Sequence, residues 1–347
     1  GAEGAAKKLV FNALKNGKHV VTANKALIAK YGDKLAKIAE ANKVNLEFEA
    51  SVCGGVPIIR SLKEGLIANK ISKIYGILNG TSNYILSSMD KQDENFETVL
   101  ENAKKLGYAE SNPKADINGD DVSSKLKILS SLCFNSFLNN NIYVEGIKNI
   151  DKTDVVNANT LGYKIKLLGF AELLNNKIYQ RVHPTLIKKD SYVASIDGVL
   201  NAVIVDGDPV GQSTIQGEGA GPEATTSALI SDISSVLRGN IKFPFSISNK
   251  KRKKLKFEKI DERFFSAYLR FEVIDRPGVL SNITNIFSKY NVSIKRLLQN
   301  PDKNKKSSSI IIISHDAKDH YLNKIIKVIS KKKYIKQKPK LIRIDNN

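Results

Sequence analysis

The C-terminal third of the chain constrains the fold most tightly. Four strand-like runs, Ala267–Ile274, Val292–Leu298, Ser308–Ser314 and Leu341–Ile344, are interleaved with two helical segments. One helix runs from Arg276-Pro277-Gly278, with Pro277 at its first position, to Tyr290, and the other spans Lys318–Ser330. The resulting order, β-α-β-β-α-β, is the split ferredoxin-like arrangement. Residues 261–347 are therefore expected to fold as an α+β module. Ahead of them, the basic stretch 238–260, broken by Pro244, reads as a linker.

The N-terminal part follows another rhythm. Ala6, Leu9, Val10, Ala13 and Leu14 fall on one helical face, and Gly17 is placed to end that helix. A strand at His19–Thr22, a helix from Asn24 and a strand at Leu46–Ala50 follow, closed by the turn Cys53-Gly54-Gly55. Such helix–strand alternation points to an α/β architecture. Ile71–Leu78 is a further strand, and Asn79-Gly80-Thr81 turns it into a helix with Thr81 or Ser82 as N-cap. Glu94–Leu106 is helical, Gly107–Gly119 is an irregular polar loop, and a new helix begins at Asp120 or Asp121. Tyr179–His183 and Val199–Val205 are strands, and Gln216–Ile233 is a glycine-rich loop running into a helix.

Composition narrows the functional classes. The net charge of +20 raises nucleic acid as a partner, but the lysine-dense runs are not interleaved with aromatic residues that could stack on bases. We expect no nucleic-acid function, and a basic surface of this kind can instead attract an anionic cofactor. No apolar run approaches the roughly 18 residues of a membrane span, so no membrane association is expected. Two cysteines, Cys53 and Cys133, give no disulfide framework and fit a reducing cytoplasm. The four histidines lack zinc-site company.

Three segments could carry chemistry. Gly107–Lys125 (GYAESNPKADINGDDVSSK) gathers Glu110, Asp116, Asp120 and Asp121 in a loop and a first helical turn, and places Asp121 and Lys125 on one helical face. An acidic turn complementing a helix dipole explains this arrangement as well as a site does. Both signs of charge together are nevertheless what a zwitterionic amino-acid substrate requires. In Val20–Ala29 (VVTANKALIA), Lys25 sits at a strand-to-helix turn, at the sheet edge where ligands bind in α/β folds. In Phe48–Ile59 (FEASVCGGVPII), two glycines permit close backbone approach or a sharp bend, and Glu49 with nearby carbonyls could hold a hard cation.

Taken in order with GILNGTSNYIL, RVHPTLI and GEGAGPEATTSALISDI, these segments resemble the homoserine dehydrogenases almost continuously from Gly1 to about Arg238. The resemblance implies NAD(P)H-dependent interconversion of L-aspartate 4-semialdehyde and L-homoserine, in threonine, methionine and isoleucine biosynthesis. It implies a C-terminal remnant of a Rossmann nucleotide-binding domain (1–48, completed by 216–237), an α+β substrate and dimerisation domain (49–215) and the ferredoxin-like C-terminal module. It casts Lys125 as proton donor, with a pKa lowered by partial desolvation, and Lys25 between substrate and cofactor. Glu110 and Asp121 would hold the substrate, with Asp116 supporting the loop. Lys25, Gly107, Glu110 and Gly219 would lie against NADP or NAD. Glu49 with the backbone of Val52, Gly54 and Val56 would bind a monovalent cation, sodium. Cys53 is expected to be a tolerated small side chain and not a nucleophile.

Residues 271–287 (FEVIDRPGVLSNITNIF) resemble an ACT module, which implies an amino-acid effector such as threonine near Asp275, Gly278 and Asn282, in a homodimer or higher homo-oligomer. One departure stands out: no G-x-G-x-x-G follows a first strand, because the sequence begins after its expected place. An alternative expectation is therefore a non-catalytic regulator that binds amino acids without cofactor.

Overall fold

The computed structural model describes residues 1–138, 141–239, 241–302 and 306–345. At the N-terminus, β1 (Val20–Val21) and β2 (Leu46–Glu47) pair in parallel, with α1 (Ala5–Lys15) and α2 (Lys25–Ala41) packed beside them. Asn24 caps α2 by accepting a hydrogen bond from the Leu27 amide at 3.0 Å. The strand expected over Leu46–Ala50 stops at Glu47, and Glu49–Ser51 winds into a 3-10 turn. Its cause lies in the next element, α3 (Ile58–Arg60). The Glu49 carboxylate accepts from the amides of Ile59 at 2.8 Å and Arg60 at 2.7 Å, while its own amide donates to Asp232 at 2.9 Å. These bonds satisfy open helix donors and draw the chain off the sheet.

The central domain is a mixed sheet with helices on it. Its strands are β3 (Lys70–Ile77), β4 (Tyr143–Val144), β5 (Tyr163–Leu174), β6 (Lys177–Lys188), β7 (Leu200–Asp208) and β8 (Gly211–Glu218). Its helices are α4 (Gly80–Gln92), α5 (Phe96–Lys105), α6 (Lys114–Asn118), α7 (Asp120–Cys133) and α8 (Lys152–Thr160), of which α4, α7 and α8 pack on β5. β5 and β6 form a long antiparallel hairpin turned by Asn175 and Asn176, both in the left-handed region (φ 50° and 60°). That pair matches a two-residue hairpin turn whose twist suits the strands.

Helix α9 (Pro222–Leu237) returns to the N-terminal layer and packs on the Glu49–Ser51 turn. The stretch read as a linker lies against the same layer. Phe245 is buried against Phe48, with ring centroids 5.4 Å apart, and the buried Arg252 stacks on Phe245 and pairs with Asp33 at 2.7 Å.

The C-terminal module follows β9 (Lys256–Phe257) and comprises β10 (Phe264–Ile274), α10 (Val279–Lys289), β11 (Ile294–Asp302), β12 (Ser307–Ser314), β13 (Ala317–Lys318), α11 (Asp319–Ile329) and β14 (Lys340–Ile344). Its strand order β11-β12-β10-β14 is ferredoxin-like. Helix α10 starts two residues later than the sequence suggests, at Val279 instead of Pro277. Gly278 lies in the left-handed region (φ 86°) and serves as N-cap, so Pro277 precedes the cap instead of opening the helix. β14 then pairs in parallel with β6, Arg343 opposite Thr185 and Ile344 opposite Leu186. Both sheets thereby merge into one 12-stranded sheet. Buried arginines pin the junction: Arg270 binds Asp154 at 2.8 Å and Asp151 at 2.5 Å, and Arg343 binds Asp319 at 2.6 Å and Glu145 at 3.0 Å.

Candidate active site

Two chain reversals build the site. At the end of β3, the chain turns through Asn79 into α4. The N-cap is Asn79 itself, not Thr81 or Ser82: its Oδ1 accepts from the Ser82 amide at 2.8 Å. Its Nδ2 is then free to reach outward, donating to Asp116 at 2.7 Å and to Asp121 at 2.9 Å. The second reversal joins α6 to α7 at Gly119, whose φ of 85° suits glycine. The loop expected to be irregular over Gly107–Gly119 therefore contains a helical turn, and that turn carries Asp116 back to Asn79.

Asp121 is the hub. Its side chain is buried, and it pairs with Lys125 at 2.9 Å through one oxygen and with Lys25, the first residue of α2, at 2.5 Å through the other. Lys125 is buried as well, and its ammonium also donates to the Leu78 carbonyl at 2.6 Å. Lys25 is 45% exposed at the side chain, so the cluster is open to solvent on that side.

Burial alone would raise the Asp121 pKa, but Lys125 and Lys25 together hold it far below the usual carboxylate range. Asp116 moves the other way: burial raises it, the Asn79 bond opposes, and the neighbouring Asp121 charge adds to the rise. The lowered pKa expected for Lys125 is reversed. Burial does push it down, yet the attraction of Asp121 outweighs that and holds it above the ordinary lysine value. Nearby, the turn at Cys53 (φ 54°) and Gly54 is clamped to the loop after β8, because the Gly55 amide donates to the Glu218 carbonyl at 2.9 Å. A side chain on Gly54 would sit 2.9 Å from the Gly219 carbonyl. The Cys53 thiol is buried, which raises its pKa and fits an inert side chain.

Of the candidate residues, the structure brings Lys25, Asp116, Asp121 and Lys125 together. Glu110 is exposed in the loop after α5 and joins no ion pair among the described residues, while Gly107 (φ 76°) ends that helix. Glu49, Val52, Gly54 and Val56 lie along one turn, and no lysine or arginine ion-pairs with the buried Glu49 carboxylate among the described residues. Burial raises its pKa to about 7, with the Arg60 and Ile59 amides opposing. Asp275 and Gly278 line a cavity of about 420 Å3. Asn282 stands beside it on α10 and spends its amide on the Gly278 carbonyl at 2.7 Å. Two residues escape the sequence reading. Asn79 sat in plain view at the end of a strand, but which carboxylates it would meet is decided by the fold. Asn201, fully buried on β7, packs so closely on Gly219 that an added Cβ there would lie 2.0 Å from its Nδ2.

Comparison with known proteins identifies the family. Residues 57–234 match the family model described as homoserine dehydrogenase, residues 1–49 that of the homoserine dehydrogenase NAD binding domain, and residues 267–332 the ACT domain. The homoserine dehydrogenase of Neisseria gonorrhoeae is 39% identical over 357 residues, covering 100% of this chain and 81% of that protein. The crystal structure of a homoserine dehydrogenase from Thiobacillus denitrificans superposes with a TM-score of 0.92 at 40% identity, covering 99% of this chain and 80% of that one. A hyperthermophilic archaeal homoserine dehydrogenase in complex with NADPH is similar with a TM-score of 0.61 at 28% identity, over 69% of this chain and 70% of that one.

Proposed function

The chain belongs to the homoserine dehydrogenase family of oxidoreductases, and from that premise we propose how its residues divide the work. The reaction is the NAD(P)-dependent interconversion of L-aspartate 4-semialdehyde and L-homoserine, in the biosynthesis of threonine, methionine and isoleucine. The observation that carries the residue assignment is the sharing of Asp121 by Lys25 and Lys125. The nicotinamide cofactor supplies the hydride. Negative charge then builds on the aldehyde oxygen, and Lys125 stabilises it and donates the proton. With its pKa held up by Asp121, Lys125 remains charged at neutral pH and is ready as an acid. Lys25, half exposed at the mouth, stands between substrate and cofactor. Glu110 and Asp121 receive the substrate's amino and hydroxyl ends, and Asp116, tied to Asn79, supports the loop.

The remaining assignments follow the same logic. The uncapped N-terminus of α9, beside Gly219, offers backbone amides to an anionic cofactor, NADP or NAD, alongside Lys25, Gly107 and Glu110. A buried carboxylate with no ion-pair partner suits a cation, so Glu49 with Val52, Gly54 and Val56 would hold sodium; sodium-dependent stabilisation lost in Glu49→Gln tests this. Threonine at Asp275, Gly278 and Asn282 would give feedback. The open edge of β8 supports a homodimer, checked by sedimentation. No helix among the described residues is long and apolar enough to cross a membrane, and two buried free cysteines fit the reducing cytoplasm. The central test is Lys125→Met. Loss of about 10²–10⁴-fold in turnover with an unchanged circular dichroism spectrum is expected. Wild-type turnover in that variant would remove Lys125 from the chemistry.

A further inference from the structure

The carboxamide of Asn201 has no partner. The residue is fully buried on β7, and neither its Nδ2 nor its Oδ1 makes a hydrogen bond among the described residues. A buried amide left in this state is unfavourable, and in a native protein such a group calls for an explanation. The Cys53 thiol lies beside it, but a thiol is a weak partner. Asn201 itself is held firmly. It stands opposite Gly217 in the β7–β8 ladder, and the Leu200 carbonyl before it accepts from Asn83 of α4 at 3.2 Å.

What covers the carboxamide is the backbone at Gly219. A Cβ placed there would meet Nδ2, Cγ and Oδ1 at 2.0, 2.1 and 2.5 Å, so the whole amide end lies against that one residue. Gly219 is buried, whereas Ala220 and Gly221 are exposed. The chain is tied on either side of this segment: the Glu218 carbonyl accepts from Gly55 at 2.9 Å and the Gly221 carbonyl from Thr225 at 3.0 Å. Between those ties, the amides of Gly219, Ala220 and Gly221 donate to no backbone carbonyl among the described residues. Unmet groups therefore stand on both sides of the contact, a fixed carboxamide below and a three-residue loop above. The loop opens α9, which has no side-chain cap. Because no surface of the carboxamide is open to solvent, it can act on a ligand only through this loop.

We propose that Asn201 is a positioning residue for the cofactor. Its carboxamide is the seat onto which the Gly219–Gly221 backbone settles, by hydrogen bonding, when an anionic dinucleotide is held at the start of α9. This rests on the cofactor reading of that loop given above and adds the support beneath it. Bonds missing in the free protein are made in the complex, so Asn201 favours the bound loop while contributing little to the free fold. Calorimetric titration of the full chain with NADPH tests it. The proteins compared are wild type, Asn201→Ala, Gly219→Ala, the double variant, and Gly221→Ala in both backgrounds.

Asn201→Ala is expected to weaken NADPH about fivefold, the loss of one hydrogen bond, with little change in the Tm of the free protein and an unchanged homoserine KM. Gly219→Ala should weaken NADPH in the wild-type background and cost nothing further in Asn201→Ala, where its methyl enters the vacated space. Gly221→Ala, strained at φ 109° with nothing within 4 Å of its methyl, should weaken NADPH equally in both. Wild-type affinity in Asn201→Ala, or an equal loss from Gly219→Ala in both backgrounds, overturns the proposal and leaves the cofactor reading standing if Gly221→Ala still weakens NADPH. Wild type that does not bind NADPH, or binds it no better than both glycine variants, overturns the cofactor reading and the proposal with it. Should Asn201→Ala unfold, Asn201→Ser repeats the comparison, and failure of both to fold would make Asn201 structural and overturn its role in binding.

Discussion

Replacing Asp121 with Asn keeps the shape of the hub and removes the charge that two lysines share. The buried Lys125 ammonium would be left with the Leu78 carbonyl at 2.6 Å and a neutral amide. Charges about 4 Å apart in a protein site attract by roughly 4 kcal/mol. Because breaking a buried pair costs about 3–5 kcal/mol and the amide oxygen still accepts a bond, we expect a loss near 3 kcal/mol. In a chain of 347 residues unfolding as one unit, that lowers Tm by roughly 4 °C. The pH dependence follows from the direction of each shift. Asp121 is depressed, so its contribution is complete above its ordinary value of 3.8 and disappears as pH falls through the folded value. Lys125 is raised, so its contribution is complete below 10.5 and disappears as pH rises through the folded value. The gap between wild type and variant should therefore be at its full width above about pH 4, narrowing as pH falls below that and, on the alkaline side, once pH passes the lowered Lys125 value of the variant. In Asp121→Asn the Lys125 pKa should fall, because burial is no longer opposed. The alkaline limb of kcat/KM for aldehyde reduction would then move to lower pH. Calorimetry and the pH–rate profile read both effects. A variant with wild-type Tm and an unmoved alkaline limb would refute the claim that Asp121 sets the state of Lys125.

Other perturbations probe the scaffold. Asn79→Ala loses an N-cap worth about 1 kcal/mol and two bonds to carboxylates worth roughly 1.5–3 kcal/mol each; thermal unfolding should show the loss and the homoserine KM should rise, whereas an unchanged KM would mean that Asn79 does not hold the carboxylates in place. Gly219→Ala brings a methyl to 2.0 Å from Asn201 Nδ2, and a displacement on the order of 1 Å can cost about 100-fold in rate; quenching titrations with reduced nicotinamide dinucleotide should show weakened binding. Arg270→Met strips the guanidinium from the fully buried Asp154 and should cost about 3–5 kcal/mol in denaturant unfolding.

The parts of the site that could be read from sequence were the local ones. Asp121 and Lys125 are four residues apart on a helix, so their pairing follows from periodicity alone. Lys25 reaches the same carboxylate from another domain layer, and no spacing rule connects positions so far apart in sequence; the family resemblance supplied that link. The direction of the Lys125 shift was missed because burial and charge oppose each other, and only the distances decide between them. Strand β5 was overlooked because Lys164 and Lys166 interrupt its apolar run. Lys166 is nevertheless buried, its ammonium bonded to Asn83, Asp197 and the Ile196 carbonyl. The Asn175-Asn176 pair was the available signal for that hairpin. The C-terminal module was legible because its strands and helices follow short-range patterns, apart from the helix start, which Gly278 moved past Pro277.

The register of β14 against β6 bears on how the molecule comes apart. A regulatory module on a tether would melt by itself and leave a scanning calorimeter with two separate peaks. Here the last strand of the module is hydrogen-bonded to β6, the strand that ends the central domain's sheet on that side, and buried arginines cross the same boundary. Neither part can lose its edge without exposing backbone and charge in the other. The two should behave as a single cooperative unit, with amides of β6 and β14 exchanging at similar rates. A protease cut within 241–260 should then leave the pieces associated.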